Sequence, residues 1–184
     1  METQIRKGDL LVASMSLADP NFSETVILVC QHDEQAGTYG LIMNRPIEVP
    51  NEVLEQFPFI EGRTFEGGPV QPEVVQVLHP YGDRFPQSLE VLPGLWLGGD
   101  FDMLRQALDA EEIDAGQCSF FLGYSGWSKD QLYDEFEMNA WLNVRGDVAL
   151  ILETPHDMLW TRTVQLYGKS NPMYTHYPDN PRTN

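Results

Sequence analysis

Three apolar runs crowd the first 45 residues, and the turn formers between them leave little choice of topology. Leu10-Leu11-Val12-Ala13 and Thr25 to Gln31 read as strands, with the Asp19-Pro20-Asn21 cluster turning the chain between them. The second run carries on through Gln31-His32-Asp33, passes a loop over Glu34 to Gly37, and resumes from Thr38 to Met43, which is the pattern of a hairpin. The fold is therefore expected to begin as an antiparallel sheet.

Later segments mix strands with helices. Pro50-Asn51 opens a short helix expected to run through Phe57, and Gly67-Gly68-Pro69 marks a tight turn before a β-rich run from Glu73 to Leu78. Shorter strands are expected at Leu89 to Leu92 and Leu95 to Leu97. Asp100 can cap a helix whose apolar positions Phe101, Leu104, Ala107 and Leu108 share one face. Gln117 to Tyr124 returns to strand. Ser128-Lys129-Asp130-Gln131 matches a capping box, and a helix to about Asn139 follows. Asp147 to Glu153 reads as a buried strand. Thr154-Pro155-His156-Asp157 then offers a cap, a proline and an acid for a last helix expected to stop at Gly168. Without regular βα alternation, the pattern is α+β with a mostly antiparallel sheet.

Composition bounds what such a fold can do. A chain of 184 residues, 42% hydrophobic, can close one core, so a single domain is expected, with its core over about 8–168 and a polar, proline-bearing tail over 169–184. The formal charge is −17, from 28 acidic and 11 basic residues. That field opposes nucleic acid, whose binding draws on basic side chains displacing counterions. No apolar run is long enough to span a bilayer and the start lacks a signal-peptide pattern, so a cytoplasmic protein with no membrane partner is expected. Cys30 and Cys118 lie in apolar runs, match no metal spacing and read as buried free thiols.

Five segments, in order, resemble the YqgE/AlgH family of bacterial proteins. They are Leu11-Val12-Ala13 with Asp19, Phe22 and Val26-Ile27; Gln31-His32-Asp33 followed by Gly40-Leu41-Ile42-Met43-Asn44-Arg45-Pro46; Glu66-Gly67-Gly68-Pro69-Val70; Leu122-Gly123-Tyr124-Ser125-Gly126-Trp127; and Gln131-Leu132 with Glu135, Asn139 and Trp141. The resemblance covers roughly Gly8 to Gly168. Two positions depart from it: the family commonly has proline where this chain has Met15, and glycine where it has Asp130. The resemblance implies an α+β fold with a small closed β-barrel flanked by helices, and a proposed regulatory role in exopolysaccharide synthesis. It brings no established reaction, substrate or cofactor.

Several residues invite a chemical reading. Asn44 and Arg45 end a strand before Pro46, where Asn44 can bond its own backbone, yet the amide and the forked cation also suit a carboxylate or phosphate. Glu66-Gly67-Gly68 lacks the helix and the Lys-Ser/Thr pair of a phosphate loop, so its glycines are read as a turn needing positive φ or close backbone approach. Ser125 lacks the second glycine of a nucleophile elbow, because Trp127 stands there. Gln131, Glu135 and Asn139 recur at i, i+4 and i+8, a polar row on one helix face. With Asn44, Glu66 and Trp127 that row would make a mixed polar and aromatic site for a small molecule. His32 is a structural histidine or a general base, and the isolated His79 and His176 complete no metal set.

The candidate ligand-binding residues are thus Asn44, Arg45, Glu66, Trp127, Gln131, Glu135, Asn139 and His32, with no metal and no cofactor expected. The favoured reading is a non-catalytic binding or regulatory protein with a protein or small-molecule partner. Alternatives are a hydrolase or transferase acting on a small polar metabolite, and a transcriptional regulator, which the charge opposes.

Overall fold

The structure is a computed structural model that describes residues 4–17 and 19–171. Its strands are β1 (Asp9–Ala13), β2 (Val26–Asp33), β3 (Gly37–Ile42), β4 (Thr64–Glu66), β5 (Val70–His79), β6 (Ser88–Leu92), β7 (Leu95–Gly98), β8 (Ser119–Trp127) and β9 (Trp141–Arg145). Its helices are α1 (Asn51–Leu54), α2 (Phe101–Asp109), α3 (Gln131–Glu137), α4 (Val148–Glu153) and α5 (His156–Ser170). Among the described residues the nine strands form one sheet, ordered β6-β7-β5-β8-β3-β2-β1-β9, with β4 pairing β8 off that path.

The first three strands pair as the turn chemistry dictates. β1 and β2 are antiparallel, with Leu10 opposite Leu28, and β2 and β3 form the hairpin. At its turn the Asp33 carboxylate accepts the backbone N–H groups of Ala36 and Gln35, which hold its pKa below the ordinary aspartate value. Among the described residues every ladder but one is antiparallel; β4 runs parallel to β8.

β8 organises the sheet. Phe120 to Leu122 lie beside β4 on one side and β5 on the other, and Ser125 to Trp127 then pair with β3. Between the two registers sits Gly123, at φ 69°. Gly67 and Gly68 press against this break: a Cβ on Gly68 would lie 2.3 Å from the Tyr124 carbonyl carbon, and one on Gly67 would lie 2.3 Å from the Gly123 oxygen. The glycines serve close backbone approach, with Gly68 also at positive φ.

Alternation along the strands builds a core on each face. Leu10, Val12, Leu28, Leu41 and Phe121 point to one face, which α4 and α5 cover through Ile151, Leu159, Trp160 and Val164. The Trp160 indole N–H donates to the Ala13 carbonyl at 2.7 Å. Leu11, Ala13, Ile27 and Val29 point to the opposite face, beneath Leu132 of α3. Further along the sheet α2 covers Val77 and Phe120 through Leu104, Ala107 and Leu108. Because β1 and β2 are buried on both faces, they read in the sequence as unbroken apolar runs. Each large side chain buried here contributes about 1.5–3 kcal/mol.

The expected closed barrel is open. The strand path ends at β6 and β9, and no ladder joins them among the described residues, so the sheet curls into a half-barrel flanked by helices. The end of β6 comes close to the residue before β1: a Cβ at Gly8 would lie 2.7 Å from Leu92 Cδ2 and 2.9 Å from the Val91 oxygen.

Other expectations are corrected locally. Asp147 to Glu153 is not a strand; Val148–Glu153 forms α4, with the Asp147 carboxylate accepting the Leu150 N–H at 2.9 Å. A short apolar run has no decisive periodicity, and the aspartate cap and the Ala and Leu residues settle it as helix. The helix expected from Pro50 to Phe57 is only Asn51–Leu54, followed by a 3₁₀ turn at Pro58–Ile60. α5 begins at His156 with no side-chain cap from Thr154, and it runs through the buried Gly168 to Ser170. β4 and β9, which sequence reasoning did not separate from their surroundings, are short strands completed by long-range partners. The expected tail beyond Asn171, with His176, lies outside the described residues.

Candidate functional site

α3 sits over the ends of β8 and β9, and its single turn of polar side chains is fastened to both. The Glu135 carboxylate accepts three hydrogen bonds: from the Trp127 indole N–H at 2.9 Å, from the Trp141 indole N–H at 2.6 Å, and from the Gln131 amide at 3.1 Å. Trp127 and Trp141 are almost wholly buried and meet edge to face, with ring centroids 5.7 Å apart. Phe22, from the β1–β2 loop, packs on both indoles at 6.1 and 5.6 Å. Charge-assisted bonds of this kind are each worth about 1.5–3 kcal/mol, and an indole N–H buried without a partner costs about as much.

His32 joins the same group from β2. Thr38 lies opposite His32 in one ladder and opposite Trp127 in the next, which sets the three residues in a row. His32 Nδ1 is 2.8 Å from the Thr38 hydroxyl, and its Nε2 is 3.3 Å from the Tyr133 hydroxyl of α3. Both ring nitrogens are thus engaged.

The helix entrance differs from a full capping box. Gln131 reaches back to accept the Ser128 N–H at 3.1 Å, but the Ser128 hydroxyl turns to the Gln131 side chain at 3.4 Å instead of capping the backbone. Asp130 takes a left-handed conformation, φ 66° and ψ −30°, a geometry that glycine adopts without strain. At the far end α3 stops at Glu137, so Asn139 is not the third member of a helical row. It sits beyond the helix at φ 55°, exposed, with its carbonyl accepting the Ser14 hydroxyl at 2.6 Å.

Asn44, Arg45 and Glu66 form a second group. Asn44 does not bond its own backbone. Its Oδ1 accepts the Val26 N–H at 2.9 Å and its Nδ2 donates to the Glu24 carbonyl at 2.8 Å, so the amide closes the start of β2. Arg45 lies 3.7 Å from the Glu66 carboxylate and reaches the Ser23 carbonyl at 3.4 Å. The backbone reinforces this pair, since the Glu66 N–H donates to the Arg45 carbonyl at 2.8 Å. The two groups meet the same β1–β2 loop: Phe22 turns to the indoles while Ser23 and Glu24 are held by Arg45 and Asn44.

Elsewhere, the buried Ser125 donates its hydroxyl to the Gly67 carbonyl at 3.2 Å. Burial pushes the Cys30 thiol far up and the Cys118 thiol to about 11, which disfavours the reactive thiolate. Among the described residues no three His, Cys, Asp or Glu side chains are placed to hold a metal ion, and no helix is long and apolar enough to cross a membrane. Trp141, Phe22, Thr38 and Tyr133 complete the candidate region. Phe22 and Trp141 stand in the segments that resemble the family, whereas Thr38 and Tyr133 carry no signal beyond their polar or aromatic character, because their partners are distant in sequence.

The AlgH-like family model matches residues 10–171. The chain belongs to the AlgH-like family. A UPF0301 protein of Chlorobaculum tepidum is 38% identical to this AlgH-like chain over 181 residues, covering 98% of this chain and 96% of that protein. A UPF0301 protein of Bacteroides thetaiotaomicron is 30% identical, over 97% of this chain and 91% of its own. The solution structure of the AlgH protein from Pseudomonas aeruginosa superimposes with a TM-score of 0.71 at 32% identity, over 98% of this chain and 100% of that one. A Corynebacterium diphtheriae protein shares the fold, with a TM-score of 0.72 at 19% identity over 96% and 95% of the two chains.

Proposed function

We propose that this AlgH-like chain is a non-catalytic binding or regulatory protein that meets its partner through the surface around α3 and the β1–β2 loop. The observation that carries the reading is the engagement of Glu135 by two indoles and an amide. Asn44 and His32 are likewise held at both polar ends. A general acid or base must exchange protons with a substrate, and these groups would first have to break the bonds that position α3 and β2. The buried free thiols need no oxidising compartment, in keeping with work in the cytoplasm.

A competing reading, a hydrolase or transferase for a small polar metabolite, draws on the Arg45–Glu66 pair, whose side chains remain 26% and 44% exposed. A screen at high protein concentration across phosphatase, esterase and nucleotide substrates separates the two. No turnover is expected. Turnover that disappears in Glu66→Gln or Glu135→Gln overturns the binding reading. Direct transcriptional regulation is disfavoured by the net charge of −17, and no gel shift is expected at low salt.

A further inference from the structure

Among the described residues the two most exposed large apolar side chains are Met138 and Met15, at 68% and 60%. They are distant in sequence, but the residues beside them meet in the fold. The Ser14 N–H donates to the Ala140 carbonyl at 2.9 Å and the Ser14 hydroxyl to the Asn139 carbonyl at 2.6 Å, which brings the chain beside Met15 against the chain beside Met138. Around them Leu17, Phe22 and Phe136 are only partly buried against the core beneath α3.

The segments that carry these side chains are strongly acidic. Residues 14–24 and 128–140 carry six carboxylates, on Asp19, Glu24, Asp130, Asp134, Glu135 and Glu137, against the single cation Lys129. Arg45, which touches the loop, is matched by Glu66. Unbranched thioether side chains adapt to irregular apolar partners, and an acidic rim around methionines favours a cationic amphipathic segment.

We propose that the patch formed by Met15, Met138 and the β1–β2 loop docks a cationic amphipathic helix of a partner protein. This rests on the binding reading above and adds the chemistry of the partner. The helix would lay its apolar side on the methionines and Phe22 and its Lys or Arg side chains against Asp134, Glu137 and Asp19.

The test is calorimetric titration of the full chain with three peptides of about 18 residues, roughly five helical turns. One is a Leu/Lys amphipathic helix, one the same composition scrambled to abolish its apolar face, and one a Leu/Glu counterpart. The amphipathic cationic peptide is expected to bind at least about tenfold tighter than the scrambled one, and the Leu/Glu peptide not at all. Met15→Lys/Met138→Lys is expected to remove that preference. Asp102→Asn/Glu111→Gln, an equal charge change near α2, is expected to leave it intact. Equal affinity for the scrambled peptide, or equal loss from the α2 variant, means charge attraction alone and overturns the proposal. So does self-association that Met138→Lys abolishes, which would make a second copy the occupant. Preference for the Leu/Glu peptide at the same patch overturns the cationic partner but leaves the binding reading standing; turnover in the substrate screen overturns that reading itself.

Discussion

Asn44 shows how far a single residue can be read from its neighbours. Its place between a strand and Pro46 predicts a structural duty, and it has one, but the amide serves Val26 and Glu24 across the hairpin rather than its own turn. Local propensity carries the need for a polar group; the partner depends on how β2 and β3 register. Asn44→Ala is expected to destabilise the protein by about 1–3 kcal/mol in urea denaturation, and Asn44→Asp, which keeps the acceptor for Val26 but sets a carboxylate oxygen against the Glu24 carbonyl, is expected to lose no less. Asp130 is the counterpart case. The family pattern of glycine there is explained by φ 66°, a conformation that costs an ordinary residue about 1–2 kcal/mol. Asp130→Gly is therefore expected to be neutral or stabilising by up to about 1 kcal/mol, and Asp130→Val destabilising by about 1–2 kcal/mol, both measured by thermal melting.

At the scale of elements, the legible parts are those with local signals. The hairpin of β2 and β3, and α2 with Asp100 accepting the Met103 N–H at 3.0 Å, follow from turn formers and caps written in the sequence. β4 and β9 were hidden because three- and five-residue strands carry little pattern and draw their definition from β8 and β1. α4 was hidden because five apolar residues in a row satisfy a strand and a helix alike. The polar row of the candidate site was half legible. Gln131 and Glu135 share a face, but the helix ends before Asn139, and nothing in the spacing disclosed that two indoles would meet the carboxylate. The meeting of β8 with the Gly67-Gly68 turn gives a sharp test of packing. Gly68→Ala must place its Cβ against the Tyr124 backbone, so a loss of more than about 2 kcal/mol is expected, read as a lowered urea midpoint.

For the whole molecule, the half-barrel binds its stability to pH through one buried ring. His79 is fully buried, stacks near Tyr81, meets Phe85 edge-on, and lies 2.9 Å through Nε2 from the Gly98 carbonyl, with the Ser88 hydroxyl nearby. Burial lowers its pKa below the ordinary value of 6.5, although the Gly98 bond opposes the shift. The unfolded chain then binds more protons than the folded one just below pH 6.5. The contribution is complete above that pH and is lost as pH falls toward the lowered folded value. Denaturation midpoints measured from pH 7.5 down to 5 should fall, and His79→Gln should flatten that slope while lowering stability throughout.

Glu135 fastens α3 to the sheet, and under the proposed function the surface outside it is left to recognise a partner. A double-mutant cycle of Glu135→Gln with Trp141→Phe, followed by urea denaturation, measures that fastening directly. A coupling energy of about 1–3 kcal/mol between the two positions is expected. Additivity within about 0.5 kcal/mol would contradict the account, for it would leave Glu135 free to do something other than hold the helix.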